Sequence, residues 1–208
     1  MGKNKNYLAA ADIPPFEVMV EHVLETYDAA TKQDVVDGTS WYPRAFAHCE
    51  LVAGLTGYSA MQVAGVMALT SAATGWNLNE SMPARIIQYI TEHGFDAKRP
   101  TFVSVNKYAW DKVIRVLRDN DLSAPDSFKV QAFFRAITGD QTSVTVDRHA
   151  MRIAAGGGMA EDTTIKGKRL MVEAYTQAAD ARGIAPSVMQ AVTWVAFRRI
   201  RGLEKNYG

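Results

Sequence analysis

Residues 60–73 read Ala-Met-Gln-Val-Ala-Gly-Val-Met-Ala-Leu-Thr-Ser-Ala-Ala, the longest apolar stretch of the chain. The stretch lacks the two-residue alternation of a half-buried strand. Wound as a helix, it places Met61, Val63, Val66, Met67 and Leu69 on nearly every side. A helix that is apolar all round forms the buried centre of a helical domain. Ser59, just before it, is a candidate N-cap. Gln62, Gly65, Thr70 and Ser71 interrupt the run too often for a bilayer span, so no membrane association is expected.

Most of the other segments also repeat at helical spacing. Ile13-Pro14-Pro15 closes a polar leader over residues 1–15, and Phe16, Val20, Val23 and Leu24 follow at helical intervals. Asp37-Gly38-Thr39-Ser40 has turn composition. Ser40 is expected to cap a helix with Pro43 in its first turn, ending near Gly54–Gly57. Asn77–Pro83 is expected as a polar connection, with Ala84–His93 as the next helix. Helices are expected over Val105–Arg118, from Lys129 through Ile137, His149–Ala155, Lys168–Ala181 and Pro186–Arg201. Val144–Val146 is a short extended piece, and Gly156-Gly157-Gly158 breaks the helix before it. No strand pair or internal repeat is apparent. The expectation is an all-α protein in two lobes, a central one over about 58–140 and a second built from 16–57 plus 141–208.

Composition excludes several chemistries. The single cysteine, Cys49, rules out a disulfide framework and a cysteine-ligated zinc or iron–sulfur cluster. His93 and His149 have no partners at ligand spacing, so neither metal nor other cofactor is expected. His48 and Cys49 are adjacent on a helix and point about 100° apart, which disfavours a nucleophile–base dyad and favours core packing of Cys49. No apolar segment of signal-peptide type follows Met1–Asn6, and a cytoplasmic protein is expected. Residues 1–100 hold 7 Lys and Arg against 11 Asp and Glu, and the remainder 16 against 11. That asymmetry is compatible with a nucleic-acid partner and equally with an ordinary solvated surface.

The residues with most chemical promise lie between Lys129 and His149. Lys129-Val130-Gln131-Ala132-Phe133-Phe134-Arg135-Ala136-Ile137 is followed by Thr138-Gly139-Asp140 and by Val144-Thr145-Val146-Asp147-Arg148-His149. A lysine at the head of an apolar helix thus precedes, by eighteen residues, an aspartate that ends a short apolar run. This segment resembles the catalytic segment of the helix-hairpin-helix (HhH-GPD) DNA glycosylases. The likeness extends, in order, over Val63–Asn79, Asn106-Lys107 with Ala109–Leu117, and Gln190–Arg198 with Trp194. It implies a two-lobed helical glycosylase-like fold, here without the iron–sulfur cluster some of that family carry. It also implies DNA as partner, Asp147 stabilising the sugar cation left by a departing base, and Lys129 assisting or attacking the sugar carbon.

The chain departs from that pattern at the hairpin, where Ser123-Ala124-Pro125-Asp126-Ser127-Phe128-Lys129 contains neither of the family's glycines. Pro125 has no N–H to offer a phosphate, and Asp126 adds negative charge. Ala72 stands where the family has the glutamine that fills the hole of a flipped base, and Gly75 replaces a nearby aspartate. Trp41-Tyr42-Pro43, Trp76-Asn77-Leu78-Asn79 and the segment through Ala150 are similar to small proteins encoded by bacterial viruses, divergent members of the same superfamily. Some of these are associated with hypermodified thymines. That likeness implies the host bacterial cytoplasm as the place of action.

Each candidate also has a plainer role. Asp147 suits an N-cap, and Lys129 and Ser127 suit a solvated first turn or a phosphate contact. Arg148, His149 and Arg152 sit where they could hold a phosphate, the aspartate or only each other. Trp76, Asn77 and Asn79 are expected on a loop that could stack on and read a base, or lid the core. Arg198, Arg199, Arg201 and Lys205 form a basic patch suited to phosphate or to solvent. Three functions remain open. One is base excision, one is a transferase acting on modified thymine, and one is a non-catalytic DNA-binding or host-protein-binding role.

Overall fold

The computed structural model describes residues 7–8, 12–71, 75–103, 105, 107–158 and 162–203. Ala72, Asn106 and Lys205 lie outside them, as does most of the leader. In chain order the elements are β1 (Tyr7–Leu8), α1 (Phe16–Asp28), α2 (Lys32–Thr56), α3 (Ala60–Thr70), α4 (Trp76–His93), α5 (Lys107–Asp119) and α6 (Phe128–Ile137). They continue with α7 (Arg148–Ala154), β2 (Asp162–Thr163), α8 (Ile165–Arg182) and α9 (Pro186–Ile200). The protein is all-α in class. The one strand pair among the described residues is the parallel β1–β2 bridge, Tyr7 opposite Asp162 and Leu8 opposite Thr163. Two residues are too few to show alternation, which is why it escaped the sequence. Among the described residues no single helix is long and apolar enough to cross a membrane.

The chain divides into two compact units, one of Met1–Trp41 with Asp140–Glu204, the other mainly Tyr42–Gly139. The first boundary falls inside α2, not at the turn near residue 57 where the sequence suggests it. The expected break at Asp37–Ser40 is absent because α2 starts earlier. Thr31 and Asp34 form reciprocal caps, Thr31 N–H to Asp34 Oδ2 at 2.7 Å and Asp34 N–H to Thr31 Oγ1 at 3.1 Å. Ser40, instead of capping, donates to Val36 O at 2.8 Å from within the helix. Gly38 serves packing: a Cβ there would lie 2.5 Å from Val192 Cα on α9.

In the Tyr42–Gly139 unit α3 is the central helix, packed against α4, α5 and α6. Every residue from Val63 to Thr70 is buried. Ser59 caps it through a capping box with Gln62, and the Gln62 amide goes on to donate to Val116 O and Leu117 O at 3.0 and 3.2 Å. One side chain therefore fixes the start of α3 against the end of α5. Asn77–Pro83, expected as a connection, is the first half of α4, with Pro83 inside the helix. Buried Asn79 explains the polar start, since the Thr70 hydroxyl donates to its Oδ1 at 3.0 Å.

In the other unit α1 packs on α7, α8 and α9. Met19, Val23, Met171, Tyr175, Met189 and Val192 form its fully buried centre, and the Tyr175 hydroxyl donates to Ala150 O at 3.3 Å. α8 is capped by Thr164 and ends at Gly183 in the left-handed conformation (φ 66°) that glycine adopts readily.

Candidate functional site

Asp140 builds the approach to Asp147. Its Oδ1 accepts from Thr142 N–H (2.9 Å) and the Thr142 hydroxyl (2.6 Å), and its Oδ2 from the Ser143 hydroxyl (2.9 Å). Ser187 N–H on α9 donates to Gln141 O at 3.0 Å. Residues Ser143 to Val146 then run buried and non-helical, with Val144 and Val146 each 2 % exposed. The apolar run seen in the sequence is thus an anchored rail that delivers Asp147 to the start of α7.

Both oxygens of Asp147 are engaged. Ala150 N–H donates to Oδ1 at 2.8 Å, the N-cap bond expected of an aspartate before a helix. The Trp194 indole Nε1–H donates to Oδ2 at 3.2 Å. The Trp194 ring is held by Trp41, centroids 4.7 Å apart and tilted 52°, and by the Arg198 guanidinium, 4.7 Å from the ring centroid.

His149 sits against Trp194 (6.2 Å, edge-on at 75°) and Phe197 (5.9 Å). Its Nδ1 is buried with no hydrogen-bond partner among the described residues. Burial holds the imidazole below its usual 6.5; Asp147 opposes this, while Arg198, Arg148 and Arg152 add to the lowering. The unfolded chain therefore takes up this proton more readily than the folded one. This contribution to stability is complete above the unfolded value and is lost as pH falls from it toward the depressed folded value. His149→Phe is expected to flatten the stability curve as pH falls below the ordinary imidazole value of 6.5. Urea unfolding at stepped pH measures it, and an unchanged slope would refute the assignment.

Asp147, Arg148, His149 and Arg152 thus gather in one unit, whereas Lys129, Ser127, Trp76, Asn77 and Asn79 belong to the other. Lys129, in the first turn of α6, is half-buried and donates from Nζ to Ser71 O at 3.4 Å. Ser127 is the N-cap residue of α6 but makes no side-chain cap bond. Trp76 and Asn77 are in the first turn of α4 and not on a loop. Asn79 is 2 % exposed.

At the hairpin the structure alters what the sequence suggests of Asp126. Lys112 on α5, 5 % exposed, forms an ion pair with it and lies 4.2 Å from the Tyr108 ring centroid. The negative charge is thus matched inside the unit, and Pro125 beside it is buried.

The C-terminal arginines, expected as a phosphate or solvent patch, are committed internally. Arg198 donates to Leu203 O at 2.8 Å. Arg199 donates to buried Asp34 at 2.8 Å and to Ala29 O at 2.9 Å. Arg201 donates to Gly157 O at 2.7 Å.

Cys49 is fully buried, and burial, with Glu50 nearby, pushes its thiol up to about 12. Such a thiol carries almost no thiolate at neutral pH and is not a nucleophile. His48 turns away from it, its Nε2 2.9 Å from Glu80 O.

Two surface grooves, of about 580 and 260 Å³, are lined by none of the residues singled out in the Lys129–His149 segment. The larger mixes Lys98, Arg99, Arg115 and Arg118 with Asp96 and Asp111, and two of its arginines are paired, Arg115 with Asp121 and Arg118 with Asp119. Among the described residues no group of three or more His, Cys, Asp or Glu side chains is placed to hold a metal.

Trp194 and Arg198 join the site although the sequence gives neither of them a role beside Asp147. The resemblance covers Trp194 and the basic patch includes Arg198, but no local pattern pairs Trp194 with Asp147. No curated protein and no solved structure matches the chain. Residues 9–201, nearly its whole length, match a family of unknown function (DUF7178), and the protein belongs to that family.

Proposed function

We propose that this protein processes a base in DNA, breaking the bond between base and sugar in the manner of the helix-hairpin-helix glycosylases it resembles. The observation that carries this reading is the Asp147 carboxylate, fixed through both oxygens at the end of a buried rail. In such a reaction the C1′–N bond breaks and its electron pair leaves with the base. The sugar becomes an oxocarbenium ion, and water adds at C1′ and loses a proton. A carboxylate already oriented stabilises that cation without rearranging as charge develops. Lys129 is the residue the resemblance assigns to direct attack, its nitrogen lone pair bonding to C1′ as the base departs. The place of action in this reading is the cytoplasm, that of the bacterial host if the protein is virus-encoded.

The hairpin favours a second reading. Pro125 has no N–H for a phosphate, and neither of the family's hairpin glycines is present. A transferase that joins an amine to an activated hydroxymethyl thymine would leave the base in place and depend less on a duplex grip of that kind.

Labelled DNA carrying damaged and hypermodified bases distinguishes these readings, read with and without alkali and after borohydride. Base release that Asp147→Asn lowers by roughly 10²–10³-fold is the expected result. A borohydride-trapped adduct lost in Lys129→Ala would assign the lysine as nucleophile. Bound DNA with no base released on any substrate would overturn base excision. A mass gain on hydroxymethyl-thymine DNA would then identify the transferase, and no change at all a binding protein.

A further inference from the structure

Capping a helix requires one carboxylate oxygen, and Ala150 N–H already occupies Oδ1 of Asp147 at 2.8 Å. The second bond comes from Trp194 on α9, forty-seven residues along the chain. Burial does not force that bond, because Trp194 is only half-buried and its N–H could be satisfied by water. The indole is itself confined. Trp41 lies on it at 4.7 Å, Arg198 at 4.7 Å, and His149 meets it edge-on at 6.2 Å. Two donors from different elements, each on its own oxygen, set the rotation of the carboxylate about its last bond. A cation over one face of the ring also draws electron density from the indole and makes its N–H a stronger donor.

We propose that Trp194 is a positioning residue, whose indole N–H fixes the plane of the Asp147 carboxylate for the developing sugar cation while Trp41 and Arg198 hold the ring. The proposal rests on the base-excision reading above. It assigns the chain a constellation of Asp147, Trp194, Trp41 and Arg198 that the Lys129–His149 segment alone does not contain. Preorganisation of this kind changes the rate of the chemical step and leaves DNA affinity alone, because the group is remote from the phosphates.

Trp194→Phe keeps an aromatic ring between Trp41 and Arg198 and removes the N–H. Its single-turnover base release is expected to fall about tenfold, the scale of one lost hydrogen bond to a charged group, with Kd for the same DNA within about twofold. Because the effect passes through Asp147, Trp194→Phe should cost nothing further in an Asp147→Asn background. A second measurement does not depend on folding of the Phe variant. The indole N–H resonance of Trp194 in wild-type protein should be displaced and protected from exchange, and Asp147→Asn should move it.

Active wild-type protein with an unchanged rate in Trp194→Phe would overturn this inference and leave base excision standing. So would equal rate losses from Trp194→Phe in the wild-type and Asp147→Asn backgrounds, or an indole resonance indifferent to Asp147→Asn. Wild-type protein that releases no base overturns both readings.

Discussion

Asp147→Asn is expected to lower base release by roughly 10²–10³-fold, the scale for removing one preorganised electrostatic group from a reaction centre. The substitution separates chemistry from architecture. Asparagine is as good an N-cap as aspartate, so its carbonyl oxygen can still accept from Ala150 N–H. Its NH₂ then faces the Trp194 N–H, donor against donor. Losing that one bond costs on the order of 1 kcal/mol, and about 2–4 °C in Tm for a chain of this size. A purely structural Asp147 would show the small Tm change and no more. Single-turnover kinetics beside a thermal melt of the same preparation gives both numbers. A rate loss below about fivefold would remove Asp147 from the chemistry, since a preorganised charge contributes far more.

Gly38→Ala is expected to destabilise the protein by about 1–3 kcal/mol, and Gly38→Val by more, although helix propensity alone predicts a gain of about 1 kcal/mol for alanine. The added Cβ would meet Val192 Cα at 2.5 Å and Val192 N at 2.7 Å, which are backbone atoms and cannot swing aside. Either α2 moves away from α9 or the contact is lost. Urea unfolding should show a lower midpoint with little change in slope, the pattern of altered stability without altered compactness. Alanine raising the midpoint would mean that α2 shifts freely at this crossing.

Where the residues that form an element lie close together, the sequence was readable. α3 could be placed because its apolar residues cover all sides and Ser59 stands just before it as an N-cap. The extended run before Asp147 and its cap were readable for the same reason. Gly38 misled because glycine at a helix crossing and glycine in a turn have the same composition, and what separates them is Val192 on another helix. Asn77 and Asn79 misled likewise, since the polarity of a connection and the polarity of a buried bond to Thr70 look alike in one dimension. The Trp194–Asp147 bond joins positions with no local relation, and nothing short of the folded chain brings them together.

The ion pair of Arg199 with Asp34 alters how affinity for a polyanion would depend on its ionic surroundings. Each phosphate that a free cation neutralises releases condensed counterions and steepens the logarithmic salt dependence of binding by about 0.9. Arg199, ion-paired with Asp34, is withdrawn from that exchange, whereas Arg198 and Arg201 donate to the neutral carbonyls of Leu203 and Gly157 and keep their charge. The dependence on salt should therefore be shallower, by about one in slope, than a count of these three arginines implies. A fluorescent duplex titrated from about 50 to 200 mM salt measures it. A shallow slope would mean that affinity comes from stacking and fit, and outlasts the ionic strength of a cell better than a charge-driven grip would.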